Sequence, residues 1–312
     1  MEALKFRKAI LLVSLCLWTL TVFPQVKEDT IFQSDYLLIL NTYTSDAPWS
    51  NAIISPVLQW LNMERKTEVY VENMNMLMID DSLKLADLKT NIFAKYGKKK
   101  PKAVLLLGNS MMLFRNEMRE AWGDVPLILC GEESYMGPDD CYIKKYPVVP
   151  SEQVPLTNFT EEYNLTLLQT RVFIEENVKL LQHMIPGMKK IILIGDGRYV
   201  NQQLNTDMKQ LLQKAYPELE YDFYSAANMT TDSLLLKLNK VDSATTGVLL
   251  SSWFTRQVVA GNVQLQANSF QVISNSVTPI FALKNSLVVN SGMIGGFMYS
   301  QTDFNEQLLK TL

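Results

Sequence analysis

Residues 185–198 read IPGMKKIILIGDGR. Pro186-Gly187 stops the helical pattern before it, Lys190–Ile194 is an apolar run of strand length, and Gly195-Asp196-Gly197 ends that run where the next helical pattern begins. The earlier stretch PKAVLLLGNS (Pro101–Ser110) has the same order: a proline break, the run Ala103–Leu107, then Gly108. A short apolar strand closed by glycine and followed by a helix is the unit from which parallel sheets are built. Its return in the second half of the chain points to two such sheets.

Working outward from these two points, the first half reads as strands at Asp35–Leu40, Glu68–Val71, Ala103–Leu107 and Val125–Leu129. Between them lie a helix from Pro48 carrying Trp49, Ile53, Val57 and Trp60 at helical spacing, a helix over Asp80–Tyr96, and a short one over Phe114–Trp122. The second half reads as helices at Glu161–Met184, Val200–Ala215, Thr231–Lys240 and one ending near Ser274. They alternate with strands at Lys190–Ile194, Glu220–Tyr224, Gly247–Leu250 and Ile280–Leu283. A last strand is expected after Gly295-Gly296, and a helix from Asp303. Residues 134–160 carry Pro138, Pro147, Pro150 and Pro155 without periodicity, which marks a crossing. The expected fold is α/β: two open parallel-sheet lobes with helices on both faces, over residues 35–150 and 161–312, joined by a crossing at 151–160. Ligands of such sheets bind at the carboxyl ends of the strands, so two facing lobes put the binding surface in the cleft between them, where hinge closure acts.

The 312-residue chain is 47% hydrophobic and 20% charged with a net charge of −3, which excludes disorder and weighs against nucleic-acid binding. Lys5, Arg7 and Lys8 precede the uncharged run Ala9–Phe23. At about 15 residues it is shorter than the ~20 of a membrane span, so residues 1–25 read as a secretory signal cleaved near Pro24–Gln25, or as an uncleaved anchor. The location expected is periplasmic. Cys130 and Cys141 remain after removal of Cys16, either as a disulfide or as two thiols. Asn158, Asn164 and Asn228 stand in glycosylation sequons, and no glycans are expected on them.

The segment LLILNTYTSDAPWSNAI (Leu37–Ile53) resembles the opening of the type I periplasmic-binding-protein-like sensor domains of bacterial membrane histidine kinases: an apolar strand, Asn-[ST]-Tyr, a polar stretch, then Pro-Trp-[ST]. Pro101–Ser110, Ile185–Arg198 and GMIGGFMYS (Gly292–Ser300) are similar to later points of the same pattern, from about residue 35 onward. Such domains are in turn similar to the substrate-binding components of ABC transporters. The resemblance implies extracytoplasmic binding of a small molecule and no catalysis, with a C-terminal membrane span, kinase modules and possible dimerisation in the intact receptor. It also implies that residues 161–312 form a truncated lobe.

Candidate ligand-binding residues follow from position at strand ends. Tyr43, Thr44 and Trp49 follow the first strand, where aromatic faces and aimed polar groups suit sugars and small solutes; Trp49 is otherwise a core or staple residue. Asn109 and Ser110 open a helix after Gly108, either beside the ligand or as ordinary caps. Glu132 follows the fourth strand and is placed to meet ligand hydroxyls or an ammonium, although adjacent Glu132 and Glu133 point apart and a solvated loop is the plainer reading. Asp196 and Tyr199 lie on the first loop of the second lobe, Asp196 contacting ligand, capping a helix or pairing with Arg198. Trp253 follows the GVLL strand, to stack on a ligand or to fill the core. No cofactor or metal is expected: the lone His183 has no catalytic partner, and the methionines read as core filling. The ligand class left open is sugar, nucleoside or organic acid.

Overall fold

The computed structural model describes residues 36–65, 67–259, 262–285 and 293–312; the signal sequence expected at 1–25 lies outside them. The first sheet contains β1 (Tyr36–Asn41), β2 (Glu68–Asn73), β3 (Ala103–Leu107), β4 (Leu127–Gly131) and β7 (Leu165–Gln169), all parallel, in the order β2-β1-β3-β4-β7. The second contains β8 (Lys190–Gly195), β9 (Glu220–Ser225), β10 (Thr246–Leu250) and β13 (Phe281–Ala282), parallel, in the order β13-β10-β8-β9. In both sheets the first strand lies inside and the second at the edge.

The continuous apolar runs of the inner strands follow from burial on both faces. Leu38 and Leu40 of β1 pack on one side of the first sheet with Val104, Leu106, Leu127 and Leu129, while Leu37 and Ile39 pack on the other with Leu105, Leu107 and Ile128. In the second sheet Ile191 and Leu193 face one core, and Ile192 and Ile194 the other. The edge strand β2 has no buried residue, its side chains alternating between half-buried and exposed over most of its length. Helices α1 (Pro48–Trp60), α2 (Ser82–Tyr96), α3 (Arg115–Trp122) and α4 (Asp139–Lys144) clothe the first sheet. Helices α5 (Ile174–Met184), α6 (Tyr199–Ala215), α7 (Thr231–Leu238) and α8 (Ser269–Asn275) clothe the second. Asp81 caps α2 by accepting from Lys84 N at 2.8 Å, and Thr230 caps α7 by accepting from Ser233 N at 3.2 Å.

Four expectations are corrected. The single helix over Glu161–Met184 is strand β7 followed by α5: Leu165 and Leu168, which share a helical spacing, are buried because β7 completes the first sheet beside β4. Residues 151–160 are not the crossing; β6 (Val154–Pro155) pairs with β5 (Tyr135–Met136) and Leu156 is buried in the first core. The crossing follows β7 at Thr170–Phe173, and α9 (Gln301–Thr311) returns to the first lobe, with Phe304 and Leu308 in its core and Asn305 Nδ2 donating to Ala52 O at 3.0 Å. The helix drawn before Ser274 is mostly the antiparallel pair β11 (Phe254–Val259) and β12 (Asn262–Ala267), with only α8 helical. After Gly295-Gly296 the described residues 297–300 form no strand.

The crossings are tied by Asn177, which is fully buried. Its Nδ2 donates to Phe173 O at 2.7 Å and Phe297 O at 2.8 Å, and its Oδ1 accepts from Phe297 N at 2.8 Å. Gly296 is required here, because a Cβ would lie 2.0 Å from Ala282 O. Cys130 and Cys141 are free and buried on opposite faces of the first sheet, which rules out a bridge between them. Among the described residues no helix is long and apolar enough to cross a membrane.

Candidate functional site

The carboxyl ends of strands from both sheets meet at one cavity of about 80 Å³. Its walls take Tyr43 and Trp49 from the segment after β1, Asn109 and Ser110 after β3, Glu132 and Glu133 after β4, and Arg198 and Tyr199 after β8. It adjoins an open inter-lobe groove of about 860 Å³ that shares Leu77 and Lys145, and a recess of about 340 Å³ that shares Glu132, Glu133 and Val200. Ligand pockets usually enclose ~300–1,000 Å³. The cavity by itself is smaller than this, and the adjoining groove supplies the room for more than a small head group.

The loop after β1 is set by Asn41. Its Nδ2 donates to Asn73 Oδ1 at 2.8 Å and its Oδ1 accepts from Tyr43 N at 3.2 Å. Tyr43 then meets Trp49 edge to face, ring centroids 5.6 Å apart. Thr42 and Ser110 hydroxyls share a 2.9 Å hydrogen bond across the β1–β3 ends. Asn109 is buried and donates from Nδ2 to Glu133 O at 3.0 Å. Its Oδ1 occupies the space above Gly131, where a Cβ would come within 1.9 Å. Gln169 Nε2 also donates to Glu133 O, at 2.8 Å, so the loop that carries both glutamates is pinned.

From that loop the two carboxylates diverge. Glu132 Oε2 accepts from Lys284 Nζ of the second lobe at 2.7 Å. Glu133 faces the cavity among Tyr135, Tyr142 and Tyr199, each of whose phenols is raised by burial and further by the Glu133 charge. Burial, then the neighbouring Glu132, pushes Glu133 up to about 7. Tyr199 reaches across from α6 into the first lobe's core and lies 4.7 Å from the Tyr142 ring.

Asp196 is buried and saturated by protein donors. Arg198 gives it Nε and Nη2, each at 2.9 Å, and its backbone N at 3.0 Å; Asn201 Nδ2 and Ser252 Oγ donate at 2.8 Å. Burial alone raises this carboxyl, but the charge and hydrogen bonds of Arg198 outweigh it and hold Asp196 below the ordinary range. The guanidinium so oriented lies between the rings of Tyr43, at 5.6 Å, and Phe254, at 4.4 Å.

Of the residues singled out in the sequence, Tyr43, Trp49, Asn109, Ser110, Glu132 and Tyr199 are brought to the one cavity. Thr44 lies beside it, on a separate recess of about 60 Å³. Asp196 faces the 860 Å³ groove and acts on the cavity only by orienting Arg198. Glu132 is engaged by Lys284. Trp253 is corrected to a core residue: it is fully buried among Ile192, Leu234 and Leu250, with Nε1 donating to Thr231 Oγ1 at 3.0 Å. Arg198, Glu133 and Tyr142 were not among the chosen site residues; only the place of Arg198 two residues after Asp196, and of Glu133 next to Glu132, marks two of them in the sequence. No group of three or more metal-ligating side chains exists among the described residues.

Solved structures share this fold. The fold is type I periplasmic-binding-protein-like. An ABC domain in complex with L-Trp from Streptococcus pneumoniae is similar with a TM-score of 0.54 and 13% identity, over 89% of this chain and 86% of that one. A carbohydrate transporter from Acidothermus cellulolyticus in complex with myo-inositol is similar with a TM-score of 0.50 and 9% identity, over 87% and 83%. The trehalose repressor of Escherichia coli is similar with a TM-score of 0.50 and 9% identity, over 88% and 90%. No protein-family model matches the chain, and no curated protein does.

Proposed function

We propose that this chain is an extracytoplasmic small-molecule receptor whose lobes close on ligand. The observation that carries this reading is the cavity walled by strand ends of both sheets, with Tyr43, Asn109 and Glu133 facing Arg198 and Tyr199. A ligand held by both walls binds the closed form better than the open one, and so shifts the lobe equilibrium. The lobes are assigned to residues 36–169 with the returning helix, and to residues 174–285. The resemblance of Leu37–Ile53 to the opening of sensor domains supports a place ahead of a membrane histidine kinase, with closure as the signal. The similarity to the pneumococcal ABC domain and the Acidothermus transporter supports the alternative, a free solute-binding protein of an ABC importer. Both are binding roles without catalysis, and a largely apolar wall carrying a few aimed polar groups suits a small metabolite in either.

The test is a thermal-shift screen of the purified chain over sugars, nucleosides, amino acids and organic acids. A specific ligand at 100 times its Kd stabilises by about 2.7 kcal/mol. A reproducible rise in Tm that is lost on Arg198→Ala is expected; a screen without any rise contradicts the reading.

A further inference from the structure

The charged groups on the cavity wall are unevenly matched. Glu132 has Lys284 at 2.7 Å, Arg198 has Asp196 at 2.9 Å, and Lys145 Nζ donates to Ile79 O at 3.2 Å. Glu133 has no ion pair among the described residues, although it is the group that burial pushes up to about 7. Around it four polar atoms make no hydrogen bond of good geometry to protein: Asn109 Oδ1, in a residue 4% exposed, the hydroxyls of Tyr142 and Tyr199, each in a residue 6% exposed, and the Tyr135 hydroxyl, which neighbours that of Tyr199. Buried polar atoms are nearly always paired, so such a cluster on one wall points to a ligand group.

The chemistry of the cluster is that of an acceptor site. Asn109 has spent a donor on Glu133 O, and its Oδ1 can only accept. The Glu133 carboxylate accepts, and the two phenols accept or donate. The Tyr142 and Tyr199 rings, 4.7 Å apart, add negative π-faces. A hydroxyl brings one donor to such a wall, whereas an ammonium brings three with a full positive charge. We propose that the ligand carries a primary ammonium group that takes Glu133 as its counter-ion, donates to Asn109 Oδ1 and lies against Tyr142 and Tyr199. This rests on the reading of the cavity as the ligand site, and it narrows the ligand class to amines. A head group of that size suits a cavity of about 80 Å³, the rest of the ligand extending into the adjoining groove.

The experiment is calorimetry and thermal shift on the whole chain with matched probes. Ethanolamine, putrescine, glycine and L-tryptophan carry the ammonium; ethylene glycol, 1,4-butanediol, myo-inositol and succinate do not. At least one amine is expected to bind ten-fold or more tightly than every non-amine probe. Glu133→Gln should weaken that binding at least ten-fold, while Glu133→Asp, which keeps the charge, restores most of it. Preference for putrescine or ethanolamine identifies a simple amine, and preference for glycine or L-tryptophan an amino acid; both support the proposal. Binding of inositol or succinate without any amine, or amine binding unchanged in Glu133→Gln, overturns it and leaves the lobe clamp standing. Failure of every probe overturns it, and a flat metabolite screen beside that failure overturns the clamp as well.

Discussion

Glu132 Oε2, at the carboxyl end of β4, accepts from Lys284 Nζ, two residues past β13, at 2.7 Å, with both side chains nearly buried at 13% and 11% exposure. The pair joins the first lobe to the second beside the cavity. On the proposed clamp, parting of the lobes breaks it. Removing one partner of a buried pair costs about 3–5 kcal/mol. Lys284→Met is therefore expected to shift the lobes toward open, raising the radius of gyration in small-angle scattering and weakening ligand binding as the competent fraction falls. The exchange Glu132→Lys with Lys284→Glu should recover much of both.

The Asp196–Arg198 pair predicts a second outcome. Asp196→Ala leaves the guanidinium, whose side chain is 13% exposed, without its carboxylate, and should lower stability by about 3–5 kcal/mol in denaturant titration. The pH dependence has a definite sign. The Asp196 carboxyl is held below its ordinary 3.8 in the folded chain, so its contribution is present above that value and is lost as pH falls through the lower folded one. The acid limb of the stability curve should flatten in the variant.

Glu133 predicts the opposite slope. Its folded value of about 7 lies above the ordinary 4.5, so its contribution to stability is fully present below 4.5 and is lost as pH rises toward and through 7. The groups acting on it are Glu132, Lys284 and Asp207, with Tyr135, Tyr142, Tyr199 and Cys141 in the same field. Chemical denaturation of Glu133→Gln at pH 4.5 and pH 8 should show the variant gaining on the parent chain as pH rises. A constant difference would place the carboxyl in water.

The two candidate tryptophans, Trp49 and Trp253, should separate. Trp253→Ala removes a fully buried side chain and its hydrogen bond to Thr231, at an expected cost of about 3–5 kcal/mol. Where the variant is folded, ligand affinity should be unchanged. Trp49→Ala removes the partner of Tyr43 in the cavity wall and should weaken binding. Equal affinities for both variants and the parent would remove Trp49 from the site.

The inner strands were legible because burial on both faces leaves a continuous apolar signature: Leu37–Leu40, Ala103–Leu107 and Ile191–Ile194 all stand where the sequence puts them. Leu165–Gln169 was not, since the burial of Leu165 and Leu168 fits a helical face equally well and only pairing with β4 decides. The β11–β12 pair was missed because its alternation stands next to a true helix. The cavity residues were legible as positions, at strand ends, and not as side-chain directions. Glu132 and Glu133 are equivalent in the sequence, and it is the pinning of Glu133 O by Asn109 and Gln169, with Lys284 arriving from a distant strand, that sends them to different tasks. The same holds for Arg198, whose place between Tyr43 and Phe254 depends on a loop from each lobe.

The most direct test of lobe closure is a distance measured across the cleft. Leu83 on α2 and Leu236 on α7 are exposed, at 79% and 64%, and Leu83→Cys with Leu236→Cys gives one labelling site on each lobe. Burial raises the Cys141 thiol to about 12 and the Cys130 thiol further, so spin labels favour the introduced cysteines. With the compound that raises Tm most in the screen, the distance distribution is expected to narrow onto its short component. A distribution that stays the same while that compound is bound would contradict a clamp that closes on its ligand.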